Sequence, residues 1–260
     1  MKKQNILAVI RARMGSTRLP KKMLLEIIDG KSSLELMVER VMSCKSIGKV
    51  VVATTTNRED KAIVDLCKKI GVNSFRGSEE DVLDRCFQAT LENTPADAVV
   101  ILTGDCTLFD HKVADRVIQY FLDNEGLDYV ANNNIPTTYP DGMDVEICSY
   151  HTLQTIWMSA ETDAEKEHIT FYLQQNKDDF KTKNLEYKED LSDKGWCLDT
   201  KEDLEFIRRI YKELYHDNLD FGMKEILDLL DRKPEIEKIN GGMPRNEWRD
   251  KSIEEDKDWL

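Results

Sequence analysis

The chain has 260 residues, 50 of them acidic against 37 Lys and Arg, for a formal net charge of −13. A field of that sign repels phosphate polymers and anionic bilayers, which excludes nucleic acid and membrane surfaces as general partners. A hydrophobic fraction of 40% is enough to bury one sizeable core.

The six cysteines (Cys44, Cys67, Cys86, Cys106, Cys148 and Cys197) are scattered and form no C-x-x-C pair. Neither a zinc site nor a disulfide framework is implied; reduced, buried thiols in a cytoplasmic protein are the expectation. Met1-Lys2-Lys3 followed by ILAVI imitates a signal peptide, but the apolar run is short and Arg11 and Arg13 interrupt it. No stretch reaches membrane-spanning length.

In chain order, residues 5–10 (NILAVI) read as a buried strand, an apolar run containing β-branched side chains. Residues 33–43 carry Leu34, Met37, Val38, Val41 and Met42 at helical spacing. A second strand over 49–55 precedes a helix over 58–71, closed by Gly71. A short strand over 73–77 leads into a helix with Ser78 as candidate N-cap and acidic residues in its first turn. Residues 97–105 (DAVVILTGD) are the clearest strand, followed by a helix over 111–124. This alternation predicts an α/β domain with a largely parallel sheet and helices on both faces. Ligands of such sheets sit at the carboxyl ends of the strands, which gathers the 11–22 loop, the 54–58 loop, Ser78 and Asp105 along one edge.

Beyond residue 131 the pattern loosens. A polar loop resolves into a strand near 144–149, then helical patterns over 149–160 and 164–176, a strand-like 181–187, a short apolar strand 196–200 (WCLDT) and a helix from 201. No repeat or linker separates two domains, so 1–232 is expected to form one unit, with 131–190 as an insertion and 233–260 as a polar tail.

The loop IRARMGSTRLPKKML (10–24) concentrates Arg11, Arg13, Arg18, Lys21 and Lys22 in an acidic chain. Gly15 offers close backbone approach or positive φ, and Ser16 and Thr17 offer hydroxyls. Guanidinium forks with exposed N–H groups suit phosphate oxygens, although the stretch fits neither G-x-x-x-x-G-K-[ST] nor G-x-G-x-x-G. A solvated basic turn is the plain alternative. Asp105 ends an apolar strand behind Gly104, a place for a metal ligand or a simple turn residue. Asp199 follows the short apolar strand before D-T-K-E-D, which also resembles an ordinary helix start. Mg²⁺ is commonly held by one or two carboxylates together with substrate phosphates, and these two fit that pattern.

ARMGSTRLPKKML resembles the A-R-x-x-S-T-R-L-P-G-K-x-L signature of the CTP-dependent sugar-acid cytidylyltransferases, which include the Kdo- and sialic-acid-activating enzymes. EEDVLDR, LTGDC, YPDGMDVEI, EHIT and the terminal PRNE look like the spore-coat polysaccharide SpsF branch of that family. The resemblance implies a single nucleotidyltransferase domain of the glycosyltransferase-A-like, Rossmann-like class. Its sheet would be mixed and mostly parallel, and the protein a homodimer through the inserted segment. It implies that Arg13, Ser16, Arg18 and Lys22 hold the CTP triphosphate, with Ala12 and Gly15 also binding the nucleotide and Ser78 and Arg85 near the cytidine. Asp105 and Asp199 would coordinate Mg²⁺, making Arg13, Lys22, Asp105 and Asp199 the catalytic set. Asp141, Asp144, Glu146, Glu167 and His168 fall where the acceptor, a nonulosonic or Kdo-like sugar acid, is expected. Lys21 replaces the family's glycine, which leaves open which lysine reaches the phosphates.

On residue grounds, His168 reads equally well as an ordinary half-buried histidine, and Asp141-Gly142 is a turn signal in any protein. Asp144 and Glu146, two apart on a strand, would aim their carboxylates into one space. Two rivals stand beside nucleotidyl transfer. One is a nucleotide-sugar-dependent glycosyltransferase of the same fold, for which Asp105-Cys106-Thr107 lacks the second aspartate of a D-x-D motif. The other is a non-catalytic nucleotide-binding scaffold, which has no need of a carboxylate pair facing a leaving group.

Overall fold

The computed structural model describes residues 4–176 and 178–241. The PRNE motif and the tail beyond 241 lie outside the described residues. In chain order the strands are β1 (Ile6–Arg11), β2 (Glu26–Ile28), β3 (Lys31–Ser32), β4 (Lys49–Thr55), β5 (Asn73–Gly77), β6 (Ala98–Thr103), β7 (Tyr129–Ala131), β8 (Glu146–Ser149) and β9 (Thr182–Asn184). The helices are α1 (Ser33–Met42), α2 (Lys61–Ile70), α3 (Val82–Glu92), α4 (His111–Asp123), α5 (Tyr150–Ser159), α6 (Asp163–Glu167), α7 (Phe171–Gln175), α8 (Lys201–Leu214), α9 (Met223–Arg232) and α10 (Pro234–Glu237).

Seven strands form one sheet in the order β5-β4-β1-β6-β8-β7-β9, while β2 and β3 make a separate hairpin. β1 pairs in parallel with β4 and β6, and β4 in parallel with β5. β8 is antiparallel to β6 and β7, so the sheet is mixed but mostly parallel. Side chains of β1 alternate between faces, and this period of two divides the core. Ile6, Ala8 and Ile10 pack with α1, α2 and α4, whereas Leu7 and Val9 pack with α3 and α5. A third cluster gathers Phe206, Ile207 and Ile210 of α8 with Ile226, Leu229 and Leu230 of α9. α10 adds the buried Ile236 to it. No helix among the described residues is long and apolar enough to cross a membrane.

Four local expectations are corrected. The N-cap of α3 is Asp81, whose carboxylate accepts from Asp84 N; Ser78 instead accepts from Asp81 N at 3.0 Å, one turn earlier. The 164–176 pattern breaks into α6 and α7, because His168 leaves helical geometry at φ −108°, ψ 87°. Residues 196–200 form no strand. Trp196 N and Leu198 N donate to Asp141 O and Asp105 O, both loop carbonyls with no ladder to continue. Asp144 precedes β8, which begins at Glu146.

Candidate active site

β1, β4, β5 and β6 end together: Arg11 pairs with Ala53 and Thr103, and Thr55 with Gly77. The basic loop leaves β1 at this edge, and two devices hold it. Asp60, buried between β4 and α2, accepts Met14 N at 2.7 Å and Thr55 N at 3.2 Å, and its Oδ2 also accepts the Thr55 hydroxyl. Gly104 lets the loop pass close, since a Cβ there would sit 2.9 Å from Arg11 O and 3.1 Å from Ala12 Cβ. Ala12 is accordingly buried, its N–H donating to Ala53 O.

The left-handed residue of the loop is Lys21, at φ 60°, ψ 23°; Gly15 does not adopt positive φ. This removes the positive-φ reading of Gly15, leaving close backbone approach, and gives a physical reason for glycine in the family signature at the position of Lys21. The turn exposes Lys21 and sends Lys22 inward, with Ser33 Oγ holding Lys22 O at 2.6 Å.

Lys22 Nζ lies 2.6 Å from Asp105 Oδ2 and 2.7 Å from Asp199 Oδ1. Arg18 reaches the other oxygen of Asp199 at 2.8 Å. The two aspartates meet because Leu198 N donates to Asp105 O, aligning the segment before α8 with the turn after β6. Thr200 caps α8, and Asp203 fixes the approach by accepting Asp199 N at 3.1 Å and Thr200 N at 2.8 Å. Burial opposes ionisation of Asp105, but the adjacent ammonium outweighs it and holds the carboxyl below its ordinary range. Burial likewise opposes the charge of Lys22, yet Asp105 and Asp199 hold its pKa well above that of an ordinary lysine.

A second cationic group lies beside β5. Arg13 is half exposed and 3.8 Å from Glu79. Arg85 is buried, donating to Ser78 O and to Glu79 O at 3.3 Å, with its Nε unpartnered. Its pKa is lowered, by burial first and further by the positive charges of Arg11 and Arg13. Arg11 and Arg13 thus add positive charge beside Arg85, which favours an anion near the loop. Ser16 is half buried, its Oγ accepting Leu19 N at 3.3 Å.

The sequence-predicted acceptor residues divide. Burial, then the negative charges of Asp141, Glu146 and Asp105, push the Asp144 carboxyl well above its ordinary range. These four acids therefore share one electrostatic neighbourhood. Glu146 Oε1 already accepts from Tyr129 Oη at 2.7 Å and Thr170 Oγ1 at 2.9 Å. Glu167 is exposed, and His168 is half-buried at the break between α6 and α7. Asp141 is fixed by its bridge to Gly195; Gly142, at φ +100°, leaves no room for a Cβ, which would meet Trp196 C at 2.8 Å. Sequence reasoning missed Asp60, Glu79 and Asp203, which position the loops. Only Asp203 had a visible signal, the T-x-x-D capping pattern at the start of α8.

A phosphate-suited loop, a strand-end carboxylate pair and a mostly parallel sheet with an antiparallel insertion define a nucleotidyltransferase-type α/β domain. Residues 7–226 match the family model described as cytidylyltransferase, and the chain belongs to that family. An uncharacterised protein of Methanocaldococcus jannaschii is 36% identical over 94% of this chain and 98% of its own. The spore coat polysaccharide biosynthesis protein SpsF of Bacillus subtilis is 34% identical over 89% and 96%. A cytidylyltransferase structure from Leptospira borgpetersenii covers 93% of this chain and all of its own, with TM-score 0.86 and 32% identity. A CMP-2-keto-3-deoxy-manno-octonic acid synthetase solved with CTP covers 81% of this chain and all of its own at TM-score 0.63 and 21% identity, a likeness of fold.

Proposed function

We propose that the protein transfers CMP from CTP to a sugar acid, releasing pyrophosphate, in the biosynthesis of a surface glycan. The observation that carries this reading is the Lys22 ammonium held between Asp105 and Asp199 beside the basic loop. Two carboxylate oxygens from distant parts of the chain lie within hydrogen-bond reach of one nitrogen, so they can share a single cation. An all-oxygen donor pair that leaves room for phosphate oxygens fits Mg²⁺. Asp105 and Asp199 would hold that ion, and when bound it supplies charge neutralisation at the α-phosphate.

The remaining work falls to the chain's own groups. The acceptor hydroxyl attacks the α-phosphorus in line, gives up its proton to solvent as its oxygen forms the new P–O bond, and the bond from the α-phosphorus to the bridging oxygen breaks, so that pyrophosphate leaves with that oxygen. Lys22, Arg13 and Arg18 neutralise the departing pyrophosphate, while the backbone from Ala12 to Ser16 positions the triphosphate. Ser78, whose carbonyl accepts from the buried Arg85, faces the nucleoside, and Asp141, Asp144, Glu146, Glu167 and His168 orient the acceptor. The relationship to SpsF supports a role in polysaccharide synthesis. A homodimer through residues 131–190 belongs to the same reading.

The test is a pyrophosphate-release screen crossing the four nucleoside triphosphates with a panel of sugar acids in the presence of Mg²⁺. Release with CTP and at least one sugar acid is expected. Nucleotide binding without turnover across the panel would replace the reading with a scaffold, and turnover by another triphosphate would overturn the base assignment.

A further inference from the structure

Cys106 and Cys197 are 91 positions apart in sequence, yet their Sγ atoms stand 3.6 Å apart. Both are buried and neither is in a disulfide. Asp105 Oδ1 completes a triangle, 3.9 Å from Cys106 Sγ and 3.8 Å from Cys197 Sγ. The opposite oxygen, Oδ2, carries the Lys22 contact. One carboxylate thus turns a hard, cation-bearing side towards the basic loop and a sulfur-lined side towards the interior.

The backbone fixes this triangle. Cys106 sits in a turn closed by its own N–H to Thr103 O at 3.3 Å, and Cys197 immediately precedes Leu198, whose N–H donates to Asp105 O at 3.0 Å. Its size is also informative. A tetrahedral ion with metal–sulfur bonds of about 2.3 Å has ligand-to-ligand edges of about 3.8 Å. All three edges lie close to that value, so an ion could seat itself with little movement of the ligands. Thr103 Oγ1 lies 3.0 Å from Cys106 Sγ, the Asp141 carboxylate acts electrostatically on Cys197, and the Lys22 ammonium is kept to the far oxygen of Asp105.

We propose that Asp105, Cys106 and Cys197 form a binding site for a thiophilic divalent cation of the zinc or cadmium class, behind the carboxylate that faces Lys22. Binding forms two metal–sulfur bonds and one metal–oxygen bond and releases the two thiol protons to solvent, with no change of oxidation state. Water occupies the fourth position. Sulfur ligands select soft cations, so this site and the all-oxygen site on the other side of Asp105 prefer different ions.

The test uses the full chain, reduced, freed of metal by chelation and titrated with cadmium chloride alone. The readout is the sulfur-to-cadmium charge-transfer absorption in the ultraviolet. One equivalent is expected to saturate the band. Cys106→Ser and Cys197→Ser are each expected to weaken cadmium binding by at least about tenfold, the lower end of what losing even a supporting hydrogen bond costs a metal site. Cys44→Ser, which removes a buried thiol elsewhere, is expected to leave the titration unchanged. A native protein without the band, or a band that survives in the Cys106→Ser/Cys197→Ser double variant, overturns the proposal. Should the double variant fail to fold, cobalt(II) added to the native protein decides: tetrahedral d–d bands with sulfur charge transfer are expected, and an octahedral spectrum overturns it. Neither result depends on whether the protein turns over CTP.

Discussion

Lys22 Nζ and Asp199 Oδ1 are 2.7 Å apart across 177 residues of chain, and Asp105 Oδ2 lies on the same nitrogen at 2.6 Å. The ammonium therefore occupies space that a cation held by both carboxylates would need; on the proposed reading, Lys22 would turn to phosphate oxygens once such a cation entered. Lys22→Met separates these two roles. Pyrophosphate release should fall by about 10²–10³-fold, the scale for deleting one charge-stabilising group. Mn²⁺ binding in the absence of nucleotide, followed by the electron paramagnetic resonance of the free ion, should tighten. Weaker Mn²⁺ binding in the variant would refute the shared seat.

The same pair sets a pH window. The Asp105 carboxyl lies below its unfolded value of about 3.9, so its contribution is present above that pH and is lost as pH falls through the folded value. Lys22 lies above its unfolded value of about 10.4, so its contribution is full below that pH and is lost only as pH rises through the folded value. Asp105→Asn should cost about 2 kcal/mol, less than a fully buried pair because Lys22 keeps Asp199. Urea denaturation should show that difference flat from pH 5 to about 9 and shrinking below about pH 4.

Lys21 tests the backbone rather than the charge. Its left-handed conformation costs a side-chain-bearing residue about 1–2 kcal/mol, while glycine loses about 0.5–1 kcal/mol through its freer unfolded chain. Lys21→Gly should therefore raise stability slightly, by up to about 1 kcal/mol in urea denaturation, and leave pyrophosphate release near native. A release defect matching that of Lys22→Met would instead assign the phosphate contact to Lys21.

Much of this was legible in the sequence because it rests on short-range physics. The strand over 49–55, the helix from Ser33 and the C-cap of α2 follow from apolar periodicity and Gly71, whereas sequence reasoning missed the Ser32 cap of α1. Asp105 could be placed at the sheet edge because β6 is so strongly apolar. The left-handed turn at Lys21 was hidden, since nothing about a lysine announces positive φ. Residues 196–200 misled because an apolar run buried between loops looks like a strand when its partners are unknown. The contact between Cys106 and Cys197 depends on a 91-residue closure that no local pattern encodes. α9 escaped notice although FGMKEILDLLDR carries helical spacing.

Asp60 shows what local reading misses, an ordinary first-turn acid that anchors a distant loop. It accepts Met14 N, Thr55 N and the Thr55 hydroxyl while only 1% exposed. Asp60→Ala strands these donors, and hydrogen bonds to a charged group contribute about 1.5–3 kcal/mol each. A loss of about 3 kcal/mol is expected in urea denaturation, with weaker CTP-dependent thermal stabilisation in whatever remains folded. A variant within about 0.5 kcal/mol of native, the range of an ordinary surface substitution, would remove Asp60 as the anchor.

Asp144 is the acid whose environment opposes its charge. Burial and the neighbouring carboxylates raise its folded pKa above the unfolded value, so ionisation weighs against the fold as pH rises from about 4. Asp144→Asn keeps the shape and removes the charge. It should melt at higher temperature than native at pH 8, and the advantage should shrink as pH approaches 4, where the native carboxyl is already protonated. A cation or a hydroxyl-rich acceptor beside Asp144 would offset the repulsion it endures in the free protein. The same variant should then release pyrophosphate more slowly despite its greater stability. Full turnover with raised stability would remove Asp144 from the acceptor site.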